Sequence, residues 1–272
     1  MRLFDSIFWI PLWLTGFVVT AAILLAQEIG YRSGLKYGER QEREQQVVGL
    51  GTIQAAVLGL LGLLLAFTYS LASGRYDTRK HALVSEANAI GTAYLRCDLL
   101  PNPVRGGLRQ VYREYVGLRI SPEGSVITPE WIRQWQDNTA RKQAQIWSLA
   151  MRGVEMRGPD PVSAGIVNAT NDVIDLHTTR WAAYRDHVPP VVLFLVLLVA
   201  VLSVALTGFN CGLSRSRSTF FTMTLCVLIV AVILVIIDLD RAHRGLIQID
   251  QQCMIDLQNS IEADFARPAT QP

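Results

Sequence analysis

The chain has 272 residues, half of them hydrophobic and 18% charged, whereas a soluble domain carries about 25% charged residues. A net charge of +2 gives no electrostatic bias toward nucleic acid. Cys97, Cys211, Cys226 and Cys253 form no CxxC pair, which argues against a disulfide framework or a zinc site and leaves them as small hydrophobes.

The charge deficit is concentrated in four runs without a charged residue: Ser6–Gln27, Gln45–Gly74, Val188–Ser214 and Ser218–Ile237. A helix crosses a bilayer core of ~30 Å with roughly 20 apolar residues, and a charge at its centre costs about 2.5–3.5 kcal/mol. Buried helices of soluble proteins this long usually keep a polar stripe, which these runs lack. The composition therefore predicts an all-α membrane protein with four transmembrane helices, near residues 7–26, 47–74, 188–209 and 218–237. A helical cytoplasmic domain, 75–187, lies between the second and third, and 238–272 forms a cytoplasmic C-terminal segment.

The first run has a signal-peptide alternative. Its apolar stretch is long for an h-region and Leu24–Glu28 is a poor cleavage site, so it reads as a retained helix, with Trp9 and Trp13 at an interfacial belt. In the second run, Gly51, Ala55, Gly59, Gly62, Ala66, Ser70 and Ser73 recur in steps of three and four. This single helical face permits close backbone approach to other helices. A roughly opposite face offers Val57, Leu60, Leu64, Phe67 and Leu71. It either meets lipid and neighbouring helices or forms a hydrophobic constriction; periodicity does not choose between these.

Beyond Gly74 the stripe Tyr76, Leu83, Ala87, Ile90, Tyr94, Cys97 continues at helical spacing, so one helix is expected to leave the membrane and run on to Pro101 and Pro103. Glu86 is expected off that stripe, in a solvated or inter-helix position. A second domain helix carries Val104, Leu108, Val111, Tyr115 and Leu118, and Ser121–Thr128 reads as a loop. Thr128-Pro129-Glu130 starts a helix to about Met156. Asp160 caps the next, with Ile166, Val173 and Leu176, up to Pro189-Pro190, a pair expected to kink the start of the third span. Leu246–Ile249 is the one strand-like stretch. Met254, Leu257 and Ile261 mark a short amphipathic helix, and Arg267–Pro272 reads as disordered.

Basic residues near the spans slightly favour the side holding both termini and the domain (Arg2, Arg75, Arg79, Lys80, Arg180, Arg185, Arg241, Arg244) over the other (Arg32, Lys36, Arg40, Arg43, Arg215, Arg217). This places the termini in the cytoplasm of a multi-pass cell-membrane protein. Arg75, Arg79, Asp175, Arg180, Asp238, Asp240 and Arg241 gather at the expected membrane edge as a candidate ion-pair network; an ion-entry site is the alternative. No charge lies at mid-depth of any span, which disfavours pumps, voltage sensors and ion-coupled carriers. No nucleophile motif, phosphate loop or pair of carboxylates with a pocket is present, so the chain reads as a non-enzyme without cofactor or metal.

Gly62-Leu-Leu-Leu-Ala-Phe-Thr-Tyr-Ser70 and Ser85-Glu-Ala-Asn-Ala-Ile-Gly-Thr-Ala-Tyr-Leu-Arg96, with Asp175-Leu-His-Thr-Thr-Arg180, Asp238-Leu-Asp-Arg241 and Arg244-Gly245, resemble the bestrophin-like family of bacterial multi-pass membrane proteins over roughly Gly49–Leu257. The resemblance implies a distant relation to the bestrophins, pentameric anion (chloride) channels whose second span lines the pore with an apolar neck. Carried over, the neck would be Leu60, Leu64, Phe67 and Leu71. The acidic calcium-binding cluster of bestrophins is not matched, since arginines flank Asp238 and Asp240. The expected function is an oligomeric, passive anion channel or channel-like protein in the bilayer, a pentamer if bestrophin-like. The alternative is a membrane-anchored scaffold or signalling protein whose cytoplasmic domain docks a protein partner.

Overall fold

The computed structural model describes residues 11–38, 44–120, 128–216, 219–241 and 245–266. Trp9, Arg2, Arg40, Arg43, Arg217, Arg244, most of the Ser121–Thr128 loop and the Arg267–Pro272 tail lie outside them. These residues form eight α-helices in order: α1 Leu12–Gly38, α2 Glu44–Arg96, α3 Val104–Arg119, α4 Pro129–Arg157, α5 Pro161–Arg185, α6 Pro190–Leu213, α7 Thr219–Asp240 and α8 Gln252–Ala266. The described residues contain no strand, so Leu246–Ile249 is irregular chain. Among the described residues four helices are long and apolar enough to cross a membrane: α1, the first part of α2, α6 and α7.

The helix limits follow from local chemistry. Thr128 caps α4 by accepting from the Trp131 amide at 3.1 Å, and Asp160 caps α5 by accepting from the Ser163 amide at 2.6 Å. Each satisfies an amide that the first turn leaves open. Helix α2 continues unbroken from the apolar run through Arg96 and tightens into a 3₁₀ turn at Cys97–Leu99 before Pro101. Pro189-Pro190 separates α5 from α6 rather than kinking one helix, because Pro190 opens α6 and four non-helical residues precede it. Helix α1 runs on to Gly38, past the end of the charge-free run, and carries Glu28 and Arg32 paired at 2.7 Å on its last turns.

The chain forms two compact units. The first comprises Met1–Tyr76 and His187–Gln248 and holds all four spans. Its core is Val19, Ile23, Leu61, Val196, Ala200, Val204, Cys226, Ile229 and Ile233. Its tightest contact is between α1 and α6. A Cβ on Gly30 would stand 2.0 Å from the Ala205 carbonyl oxygen, and one on Gly34 2.1 Å from that of Phe209. Reciprocally, a Cβ on Gly208 would stand 2.3 Å from the Gln27 oxygen and one on Gly212 2.2 Å from that of Tyr31. Two Gly-x-x-x-Gly stripes thus press backbone on backbone, the arrangement that substitutes for a hydrophobic driving force between helices in lipid. The outward faces are apolar: Phe17, Val191 and Phe220 are each at least 70% exposed, as expected for helices solvated by acyl chains.

The second unit comprises Asp77–Asp186 and Ile249–Pro272. Its core joins Leu83, Ile90 and Tyr94 of α2 to Leu108, Tyr112 and Tyr115 of α3, Ile146 of α4, Ile166 and Val173 of α5, and Met254 and Ile261 of α8. Tyr94 donates to Asp264 at 2.6 Å and Arg113 donates through Nε to Glu262 at 2.7 Å. These bonds latch α8 onto the unit, so the C-terminal segment is part of it.

Candidate functional site

Helix α2 is the span that its own chain covers least. Among the residues of its charge-free run whose burial is described, only Leu61, Thr68 and Ala72 are buried. At about 100° per residue the direction of Leu60, Leu64, Phe67 and Leu71 lies roughly 90° from that buried stripe, and the small-residue stripe lies roughly 140° from Leu60–Leu71 on its other side. Leu60, Phe67 and Leu71 are 50%, 60% and 47% exposed and Leu64 is half-buried. Ala55, Gly59, Gly62, Ala66 and Ser70 are exposed and Gly51 is half-buried. A Cβ added at Gly51, Gly59 or Gly62 would meet nothing within 4 Å. Both faces are therefore largely open in the single chain, Leu64 alone of the four apolar residues packing against the core, and the glycines that pack backbones closely inside it are those of α1 and α6.

The residues expected at the membrane edge divide between the two units. In the first, Asp238 is buried and its carboxylate accepts from the Leu246 and Ile247 amides at 3.0 and 2.8 Å. Gly245 makes this possible, because a Cβ there would stand 2.3 Å from Asp238 Oδ1. Asp240, fully buried, accepts from the Val188 amide at 2.9 Å, with His187 Nδ1 3.6 Å from its carboxylate. Arg241 donates through Nη2 to Thr15 Oγ1 at 3.0 Å. These bonds tie the end of α7 to the start of α6 and to α1. Arg75, also in this unit, is half-buried on α2.

In the second unit, Arg79 is buried and donates to the carbonyls of Ala183 and Asp186 at 3.2 and 2.8 Å. A cation there meets the negative end of the α5 dipole. Asp175 is exposed on α5. Arg180 points instead to Glu86, the residue that the sequence placed on a solvated or inter-helix face. Glu86 is fully buried and accepts from Arg119 Nε at 2.7 Å, Arg119 Nη2 at 3.2 Å and Arg180 Nη1 at 2.7 Å. Arg119 and Arg180 are themselves 1% and 2% exposed. The Arg119 guanidinium lies 4.5 Å over the Trp135 ring, and His177 Nδ1 stands 3.9 Å from Glu86. Burial alone would raise the Glu86 carboxyl, but the charges of Arg119 and Arg180 outweigh it and hold the group below the ordinary carboxylate range. Burial and the nearby Arg119 charge push His177 down to about 4, so the imidazole is neutral at pH 7.

The signal for Glu86 was present in the spacing. It stands three residues after Leu83 and four before Ile90, within the flank of the buried stripe.

A family model described as Bestrophin-like domain matches residues 21–254. Among solved structures, the chain is similar to a bacterial bestrophin homologue from Klebsiella pneumoniae, at 12% identity and TM-score 0.68, with 91% of this chain and 99% of that one covered. A point variant of a bacterial bestrophin homologue from Klebsiella pneumoniae gives 11% identity and TM-score 0.68, with 92% and 99% covered. A membrane protein carrying a serine-to-alanine substitution gives 12% identity and TM-score 0.66, with 93% and 98% covered. No curated protein matches the sequence.

Proposed function

The chain belongs to the Bestrophin-like domain family, and on that premise we propose that it is an oligomeric, passive anion channel or channel-like protein of the membrane. The observation that carries the reading is the exposure of α2. A helix lining a shared axis needs one apolar face toward the axis and flanks against its neighbours. The apolar face at Leu60, Phe67 and Leu71 and most of the small-residue face are uncovered within one chain, with Leu64 and Gly51 half-buried. Copies arranged around α2 would turn the first into a hydrophobic neck, which gates by dewetting, and use the second for close helix approach. Five copies are the number implied by the relation to bestrophins. The Asp77–Asp186 unit and both termini then face the cytoplasm.

Purified protein in planar bilayers is expected to carry anion currents, larger or less rectified in Phe67→Ala, and to run in detergent as a ring-sized oligomer. Cysteines placed at Leu64 and Phe67 are expected to react with water-soluble thiol reagents. A confirmed oligomer that is silent, with both cysteines unreactive, refutes conduction. A monomer leaves the rival reading, a membrane-anchored scaffold.

A further inference from the structure

In the membrane unit, α1, α6 and α7 enclose a groove of about 440 Å³, inside the range of roughly 300–1,000 Å³ typical of small-molecule sites. Its body is apolar, lined by Val18, Leu193, Leu197 and Ile233. Its polar groups all stand at one end: Thr15, four residues into α1, and Arg241, immediately after α7, joined by their 3.0 Å hydrogen bond. Pro190, the first residue of α6, closes the same end. Three helix termini therefore mark one membrane edge, and the groove descends from it along the spans. A cation at the edge above an apolar slot matches an amphiphile with an anionic head and a hydrocarbon tail. An arginine beside a lipid phosphate is a charge-assisted pair, and basic pockets between spans select anionic headgroups.

We propose that this groove holds one acyl chain of an anionic phospholipid, with Arg241 at its phosphate. The full chain, purified in neutral detergent and incubated with dioleoyl phosphatidylglycerol or dioleoyl phosphatidylcholine, is examined by native mass spectrometry. One lipid per subunit is expected to survive washing, with phosphatidylglycerol retained at least fivefold over phosphatidylcholine. Val18→Trp fills the groove from a position 57% exposed, so the fold is kept; it is expected to lose the bound lipid. Arg241→Gln is expected to keep an acyl chain but erase the headgroup preference, and Arg241→Lys to restore part of it. Equal lipid retention by Val18→Trp overturns the proposal, as does no retained lipid in the unmodified protein, the result expected if a second copy fills the groove. Equal retention of the two headgroups by the unmodified protein overturns the role of Arg241.

Discussion

Replacing Glu86 by Gln keeps the shape of the side chain and removes its charge. Two guanidiniums then share one neutral acceptor in a site where Glu86, Arg119 and Arg180 are 0%, 1% and 2% exposed. Removing one partner of a buried ion pair costs about 3–5 kcal/mol, because the remaining charge stays dehydrated. Here one carboxylate serves two cations through three bonds of 2.7–3.2 Å, which sets the expectation at the upper end of that range. Hydrogen exchange of the intact protein in detergent localises the loss. Amides of α3 and α5 around Arg119 and Arg180 should exchange about 10³–10⁴-fold faster, the rate equivalent of that energy at 1.4 kcal/mol per decade, while those of α1 and α6 stay at their native rates. A triple replacement, Glu86→Leu with Arg119→Met and Arg180→Met, should be less damaging than Glu86→Gln, since no charge is left behind. Native exchange rates in Glu86→Gln would refute the view that the carboxylate holds these helices together.

Further outcomes follow from the same geometry. His177 is neutral in the fold, with a pKa of about 4 against 6.5 when free, so between these values the unfolded chain binds more protons and stability falls as pH falls. The loss should reach up to roughly 3 kcal/mol by pH 4, and His177→Phe should flatten a melting-temperature profile measured over that window. Below about pH 4.5 the lowered Glu86 carboxyl adds a further loss as it protonates. Gly208→Ala, whose new carbon would stand 2.3 Å from the Gln27 oxygen, should sharply reduce the yield of monodisperse protein. Gly59→Ala, whose new carbon meets nothing within 4 Å in its own chain and keeps the face small, should leave the yield unchanged. Gly62→Leu should keep the subunit folded, with native exchange rates, yet shift the detergent-solubilised mass toward smaller assemblies.

The four spans were legible because lipid imposes a rule visible residue by residue: no charge across some twenty positions. The continuity of α2, and the caps at Thr128 and Asp160, were legible because their causes are local. The Glu86 cluster was not. Arg119 lies 33 positions away and Arg180 94 positions away, so only the phase of Glu86 on its helix hinted that it was buried. The glycine seam escaped for a different reason. Gly30, Gly34 and Gly212 lie past the expected ends of the first and third spans, at 26 and 209, and only Gly208 falls inside one. A motif read within span limits therefore could not include the pair. The two α2 faces were identified by period alone, and their exposure in one chain is what the sequence had no means to state.

The second unit is assembled from two stretches of chain that are not contiguous. Met254 and Ile261 of α8 sit in a core otherwise complete by Asp186, with about 60 residues of span and loop in between. At synthesis rates of about 5–20 residues per second this is a delay of roughly 3–12 s, during which the nascent core has an apolar slot with no occupant. Synthesis of α6 and α7 thus precedes the closing of this core, whose last helix can dock only after both spans have been made.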